Sequence, residues 1–138
     1  MSSRRVLLID DEPRILDIVK YFLEQGGYEV EAYAAQADGL EAARRAPFDV
    51  AALDIVLIGG SGYEVASELK KIKNTEQMPV LFMSSKVEMA KLFLENYDGR
   101  AEFILKPFKK NDFLEKIAVL VEGGGRQAHK ADAPSRKK

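Results

Sequence analysis

Cysteine is absent from the 138 residues of this chain, and long apolar runs are absent as well. Without cysteine the chain forms no disulfide and offers no thiolate to a zinc or iron–sulfur site, which suits a reducing compartment. Near the start only four apolar residues, Val6 to Ile9, precede two aspartates. This segment is neither a signal peptide nor a membrane span, which needs about 20 apolar residues. We therefore expect a soluble, cytoplasmic protein.

Basic charge is scarce in the body of the chain and gathers at its end. The formal net charge is −1, yet residues 123–138 hold five basic residues and one acidic residue, which leaves −5 for residues 1–122. An acidic body is unlike a nucleic-acid-binding domain. Hydrophobic residues make up 46% of the chain, which is enough for one sizeable core. We predict one domain over residues 1–122 and a flexible basic tail or linker over residues 123–138.

Short apolar segments alternate with helical patterns along the predicted domain. Five segments are typical of strands, and they cover residues 5–10, 28–33, 49–54, 79–84 and 101–105. Apolar residues at helical spacing follow each strand, and Pro13 lies in the first turn of the first helix. Strands one, three and four are almost wholly apolar, as expected where helices cover both faces of a parallel sheet. The pattern predicts an α/β fold with a doubly wound, five-stranded parallel sheet.

Polar residues follow the predicted strands at the edge where such sheets bind their ligands. They are carboxylates, a hydroxyl and an ammonium, at Asp10, Asp11, Glu12, Asp54, Ser84 and Lys106. Crowded carboxylates either raise their pKa values or bind a cation. Mg²⁺ takes carboxylate oxygens together with phosphate oxygens, and a carboxylate can attack phosphorus as a nucleophile. The residue types at this edge therefore predict magnesium-dependent phosphoryl chemistry.

Four fragments carry a family resemblance: LLIDDEP, VAALD, VLFMS and FILKPF. They occur in this order, and each lies at the end of a predicted strand. Together they resemble the response-regulator receiver family of two-component signalling over about residues 4–122, and within it the single-domain chemotaxis type. The resemblance implies a flavodoxin-like (βα)5 fold with the strand order 2-1-3-4-5.

The resemblance also implies a role for each matching residue. Asp54 matches the phosphoacceptor, Lys106 the phosphate-contacting lysine and Ser84 the switch hydroxyl. The implied magnesium ligands are Asp10 (through water), Asp11, Asp54 and the backbone carbonyl of Val56. Phe103 matches an aromatic switch residue, although an aromatic residue in a strand is also typical of a static core. Pro107 matches a proline that follows a cis peptide bond.

A receiver of this kind is expected to take a phosphoryl group from a sensor histidine kinase or phosphotransfer protein, with Mg²⁺, and to signal to a downstream effector. It would catalyse its own phosphorylation and dephosphorylation without being an enzyme for an independent substrate. The fourth helix (87–97), the fifth strand and the last helix are expected to switch and bind partners, and the same face could form a homodimer. We expect no contact with a membrane and no direct contact with nucleic acid. The apolar excess of residues 87–97 fits either wide burial or an exposed docking surface.

Two positions depart from the family pattern. Ile58 stands where a proline usually lies four residues after the phosphoacceptor, and Ser85 follows the switch hydroxyl where alanine is common. Neither change removes a reacting group. Val56 and Lys86 match the positions that flank the path of the attacking water. Neither is a carboxylate or amide that would orient a water molecule, so we predict a long-lived phosphoryl group.

Three other functions are compatible with parts of the pattern. A flavodoxin-like flavin or nucleotide carrier would share the fold, but the acidic first loop would repel a bound phosphate. A phosphatase of the haloacid-dehalogenase type would place its nucleophile after strand one with a second aspartate two residues later, where this chain has Glu12. A receiver-like protein that only binds partners would have no need for all the reacting groups.

Overall fold

A computed structural model describes residues 3–123 and 126–127 of the chain. Its five main strands are β1 (Arg5–Ile9), β2 (Glu29–Tyr33), β3 (Val50–Asp54), β4 (Val80–Ser84) and β5 (Arg100–Leu105). Its five α-helices are α1 (Pro13–Gln25), α2 (Gln36–Arg45), α3 (Gly62–Leu69), α4 (Val87–Asn96) and α5 (Lys110–Val121). Strands and helices alternate along the chain, as the sequence predicts.

The five main strands are parallel and lie in the order β2-β1-β3-β4-β5. The predicted five-stranded, doubly wound parallel sheet is therefore confirmed. This sheet also contains a short strand that was not predicted: Arg126–Gln127 pairs antiparallel with Arg100 and Ala101 at the outer edge of β5. The rest of the predicted flexible tail, residues 124–125 and 128–138, lies outside the described residues, so its flexibility stays a prediction.

Alternate residues of each central strand enter two separate cores, one on each face of the sheet. Leu7 and Leu53 pack with α2, α3 and α4, while Leu8 and Ala52 pack with α1 and α5. The main strands β1, β3 and β4 are buried almost throughout. Because successive side chains point to opposite faces of a strand, a sheet covered on both sides requires the continuous apolar runs that the sequence contains.

The ends of α3 show how local hydrogen bonds set the limits of a helix. The Ser61 hydroxyl accepts a hydrogen bond from the Glu64 amide at 3.1 Å and so caps α3. The helical spacing of Val65, Ala66, Leu69 and Ile72 in the sequence predicts that α3 continues to Ile72, but the helix ends at Leu69. The buried Thr75 hydroxyl donates to the Leu69 carbonyl at 2.7 Å, which satisfies the helix end from the following 3₁₀ turn.

A small hairpin connects β3 to α3 and forms one wall of the candidate site. Its strands are Val56–Leu57 and Gly60–Ser61, and Gly59 lies at the turn with φ of +81°. Gly62 follows the hairpin and lies so close to β3 that an added Cβ would be 2.3 Å from the Asp54 carbonyl oxygen. This approach holds the start of α3 beside Asp54.

Among the helices of the described residues, none is long and apolar enough to cross a membrane.

Candidate functional site

Four strand ends meet at the carboxyl edge of the sheet. Asp10 directly follows β1, Asp54 ends β3, Ser84 ends β4 and Lys106 follows β5, and the parallel register brings these ends level. The edge contains a cleft of about 760 Å³. Its polar lining includes Asp11, Glu12, Asp54, Ser84, Ser85, Lys86 and Lys106. The structure therefore brings together residues that are up to 96 positions apart in the sequence.

Lys106 is the centre of this arrangement. Its Nζ lies 3.0 Å from Asp10 Oδ2, 3.3 Å from Asp54 Oδ1 and 3.4 Å from Glu12 Oε1. The lysine side chain is only 13% exposed, so its ammonium has little access to water and depends on these carboxylates. The following peptide bond, Lys106–Pro107, is cis, as the resemblance implies.

Burial sets the electrostatics of the two inner carboxylates. Burial raises the pKa of the Asp54 carboxyl from 3.8 to about 6, and the negative charge of Asp10 adds to the rise. Burial also raises the pKa of Asp10, against opposing hydrogen bonds from the Glu12 amide and Lys106. Burial lowers the pKa of Lys106, but its hydrogen bonds and its attraction to Asp10 and Asp54 outweigh burial, so the net pKa is raised. The cleft thus holds an ammonium beside carboxylates that resist ionisation.

An acidic cluster suited to a cation lies in the cleft. Oxygen atoms of Asp10, Glu12 and Asp54 all lie within 4.8 Å of one another. Carboxylate oxygens are the ligands that hard divalent cations prefer. The sequence pattern placed Glu12 at this edge but assigned it no role. The signal that could have identified Glu12 is its position two residues after Asp10, from which it reaches Lys106 at the exposed side of the cleft.

Asp11 takes a different position from the one its expected role suggests. Its Oδ2 accepts a hydrogen bond of 2.6 Å from the Ile58 amide in the hairpin. Asp11 lines the same cleft, but among the described residues the cluster of carboxylate oxygens within 4.8 Å of one another does not include it. Its role as a direct magnesium ligand stays a prediction.

The remaining predicted residues surround the cleft. Val56 is 54% exposed, and hydrogen bonding from its backbone opposes the rise in the pKa of the Asp54 carboxyl. Ser84 is buried, and its hydroxyl accepts from the Lys86 amide at 2.9 Å and donates to the Lys86 carbonyl at 3.2 Å. Phe103 is half-buried against the core beneath α4. The roles of these three residues stay predictions.

The fold and the site together define a class of protein. An acidic cleft at the carboxyl edge of a doubly wound sheet, with a lysine in contact with the inner carboxylates, is the arrangement expected of a receiver. The sequence matches the family model for the response regulator receiver domain over residues 6–118. The chain therefore belongs to the response regulator receiver family of two-component systems.

Relatives of known structure or description agree with this assignment. The response regulator GtcR of Aneurinibacillus migulanus is 31% identical over 139 residues, which cover 98% of this chain and 53% of GtcR. A CheY-like receiver domain protein from Methanospirillum hungatei JF-1 is 32% identical, with a TM-score of 0.78 over 88% of this chain and 95% of that one. TrrA of Thermotoga maritima, solved in complex with Mg²⁺-BeF, is 29% identical, with a TM-score of 0.74 over 85% of this chain and 98% of TrrA. The chain spans about half the length of GtcR and of several other curated relatives.

Proposed function

We propose that this receiver is the phosphoacceptor of a two-component phosphorelay, in which Asp54 takes a phosphoryl group from the phosphohistidine of a sensor kinase or phosphotransfer protein. The observation that carries the proposal is the contact of the Lys106 ammonium with the carboxylates of both Asp54 and Asp10. The family assignment favours this function over a flavin carrier or a dehalogenase-type phosphatase. We propose the cytoplasm as its location, as the sequence predicts.

In the proposed reaction a carboxylate oxygen of Asp54 attacks the phosphorus of the phosphohistidine. The O–P bond forms as the P–N bond breaks, and the imidazole leaves with the electron pair of that bond. Lys106, whose Nζ lies 3.3 Å from Asp54 Oδ1, neutralises charge on the phosphoryl oxygens. Hydrolysis by water then regenerates the Asp54 carboxylate and releases inorganic phosphate. The chain catalyses these two steps on itself and needs no other substrate.

A magnesium ion fits the charge of the cleft. In the cluster around its ammonium, Lys106 supplies one positive charge against the three carboxylates of Asp10, Glu12 and Asp54, and burial disfavours the ionised form of Asp10 and Asp54. An added divalent cation relieves that excess, because it favours the ionised carboxylates. We propose the ligand set that the sequence predicts: Asp11, Asp54, the Val56 carbonyl, and Asp10 through water. When bound, the ion supplies charge stabilisation to the oxygens of the transferring phosphoryl group.

Partner binding is proposed for the surface of α4, β5 and α5. A groove of about 630 Å³ lies between β5 and α5, where Leu105 and Val119 are each 42% exposed. On α4, Leu92 is 55% exposed, whereas Met89 and Phe93 pack partly against the core. Some of the extra apolar side chains of α4 are thus packed against the core, and others are exposed. An effector protein or a second copy of the chain would cover the exposed part, and no direct contact with nucleic acid is proposed.

The signal is proposed to reach this face through Ser84 and Phe103. The Ser84 hydroxyl is bonded to the backbone of Lys86 just before α4. A hydrogen bond from this hydroxyl to a phosphoryl oxygen would replace those bonds and move the start of α4. Phe103, half-buried beneath α4, would then turn into the space that is freed. A surface carries information only if its two states differ in this way.

Labelling by acetyl phosphate with Mg²⁺ tests the acceptor directly and needs no kinase. Wild type should acquire a hydroxylamine-labile phosphoryl group, and Asp54→Asn should acquire none. Asp17→Asn is the matched control, since Asp17 is an exposed carboxylate on α1. Equal labelling of Asp54→Asn and wild type would show that the acceptor lies elsewhere.

A further inference from the structure

The hairpin after Asp54 is held by a side chain that the proposed magnesium site also needs. The Ile58 amide donates to Asp11 Oδ2 at 2.6 Å, a short contact of the charge-assisted kind. Asp10, Glu12 and Asp54 gather their oxygens within 4.8 Å of one another, and in the described part of the chain Asp11 is not one of that group. In the loop after β1, Asp11 therefore contacts the hairpin amide, whereas its neighbours Asp10 and Glu12 belong to the acidic cluster.

Polar contacts, and not packing, decide where residue 58 lies. The Ile58 side chain is 83% exposed, so burial contributes little to its position. Its backbone is held on two sides, because its amide donates to Asp11 and its carbonyl accepts from Gln36 Nε2 at 3.1 Å. Gly59 follows with φ of +81°. Two hydrogen bonds thus tie the tip of the hairpin to other segments, one to the loop before α1 and one to α2.

We propose that the Ile58 amide is a positioning group for the cation site: it holds Asp11 beside the hairpin when no cation is bound, and Asp11 exchanges this amide for the cation. The inference rests on the proposed function, since it requires that Asp11 reach a magnesium ion in the cleft. Cation binding and the position of residues 56–61 are then coupled. The cation and the Ile58 amide compete for Asp11, so binding of Asp11 to one weakens its binding to the other, and the coupling is reciprocal.

The coupling has a structural consequence at the rim of the cleft. When Asp11 leaves the amide, the contact from Gln36 and the pairing of the hairpin's own two strands remain, and the tip loses its link to the loop before α1. The exposed apolar side chains of Val56 and Ile58 lie on this hairpin, so their arrangement at the mouth of the cleft follows the cation. The hairpin also contains the Val56 carbonyl, which belongs to the proposed ligand set. Movement of the hairpin therefore accompanies the binding of this carbonyl to the cation.

Removal of the amide tests the competition. Ile58→Pro deletes the N–H donor, and the extended conformation of Leu57 suits the residue before a proline. Ile58→Ala is the matched control, because it removes the side chain and keeps the amide. Mg²⁺ titrations by calorimetry, without a phosphodonor, should show Ile58→Pro binding about tenfold more tightly than Ile58→Ala, since a hydrogen bond to a charged group no longer competes.

The wild-type protein supplies a second measurement that needs no variant to fold. In ¹⁵N-labelled protein the Ile58 amide proton should resonate downfield, and Mg²⁺ should move it upfield with the midpoint of the calorimetric titration. An Ile58 resonance that stays in place at saturating Mg²⁺, or a Pro variant that binds no more tightly than the Ala variant, would overturn the inference and leave the magnesium site intact. Wild type that binds no Mg²⁺ would overturn both the site and the inference.

Discussion

Asp54→Asn should stabilise the fold in the absence of metal, and the gain should depend on pH. Asp54 is 6% exposed, and its pKa is raised from 3.8 to about 6, chiefly by burial and then by the charge of Asp10. The folded state therefore binds the Asp54 proton more tightly than the unfolded state. Its stability falls as pH rises from 3.8 through 6, and the full cost of the charge is present above that range. Asparagine has nearly the shape of the protonated acid and carries no charge at any pH.

The size of the effect follows from the shift. At about 1.4 kcal/mol per pH unit, a rise from 3.8 to about 6 corresponds to a cost of about 3 kcal/mol at pH 8. At pH 4.5 the folded-state carboxyl is almost fully protonated, and the cost falls to about 1 kcal/mol. Lys106 keeps its contact with Asp10 at 3.0 Å in the variant, so the ammonium is not left without a counter-charge.

Urea unfolding followed by circular dichroism, in buffer with EDTA, measures this difference. Asp54→Asn should exceed wild type by about 3 kcal/mol at pH 8 and by about 1 kcal/mol at pH 4.5, with unchanged m-values. Asp17→Asn should show no such gain, because Asp17 is exposed. Millimolar Mg²⁺ should narrow the gap at pH 8, since a ligand of the native state stabilises wild type. A gain of the same size at both pH values would refute the burial argument.

Three further changes test the neighbouring contacts. Lys106→Met removes the ammonium from Asp10 and Asp54 and should lower the free energy of unfolding in urea by about 3 kcal/mol at pH 8. If the same loss of stability persists at low pH, where both carboxylates are protonated, its cause would be packing instead. Gly62→Ala places a Cβ 2.3 Å from the Asp54 carbonyl oxygen and should lower stability by about 1–3 kcal/mol in thermal unfolding, whereas an unchanged Tm would mean that α3 shifts freely. Val56→Asn combined with Lys86→Glu should speed loss of the phosphoryl label if water positioning limits hydrolysis, and an unchanged decay rate would assign the limit to another feature.

The sequence by itself determined the layers of this protein and the strand ends on which its chemistry lies. Runs such as Val6–Ile9 and Val80–Met83 are long enough to form buried strands and too short for membrane helices, so period and length predict their structure. Parallel strands place their carboxyl ends at one edge, which is why Asp54 and Lys106 could be predicted as neighbours without any contact information. These inferences use only local pattern and topology.

The tertiary structure decided which groups actually touch. Lys106 reaches Glu12 as well as Asp10 and Asp54, and Asp11 bonds the Ile58 amide across 47 positions of sequence. At the end of α3 the Leu69 carbonyl likewise accepts a hydrogen bond from the Thr75 hydroxyl, where periodicity alone predicts a longer helix. The physical reason is the same in each case. A pattern of apolar residues encodes burial and direction, whereas a side chain selects its partner by distances of about 3 Å that exist only after the strands have assembled.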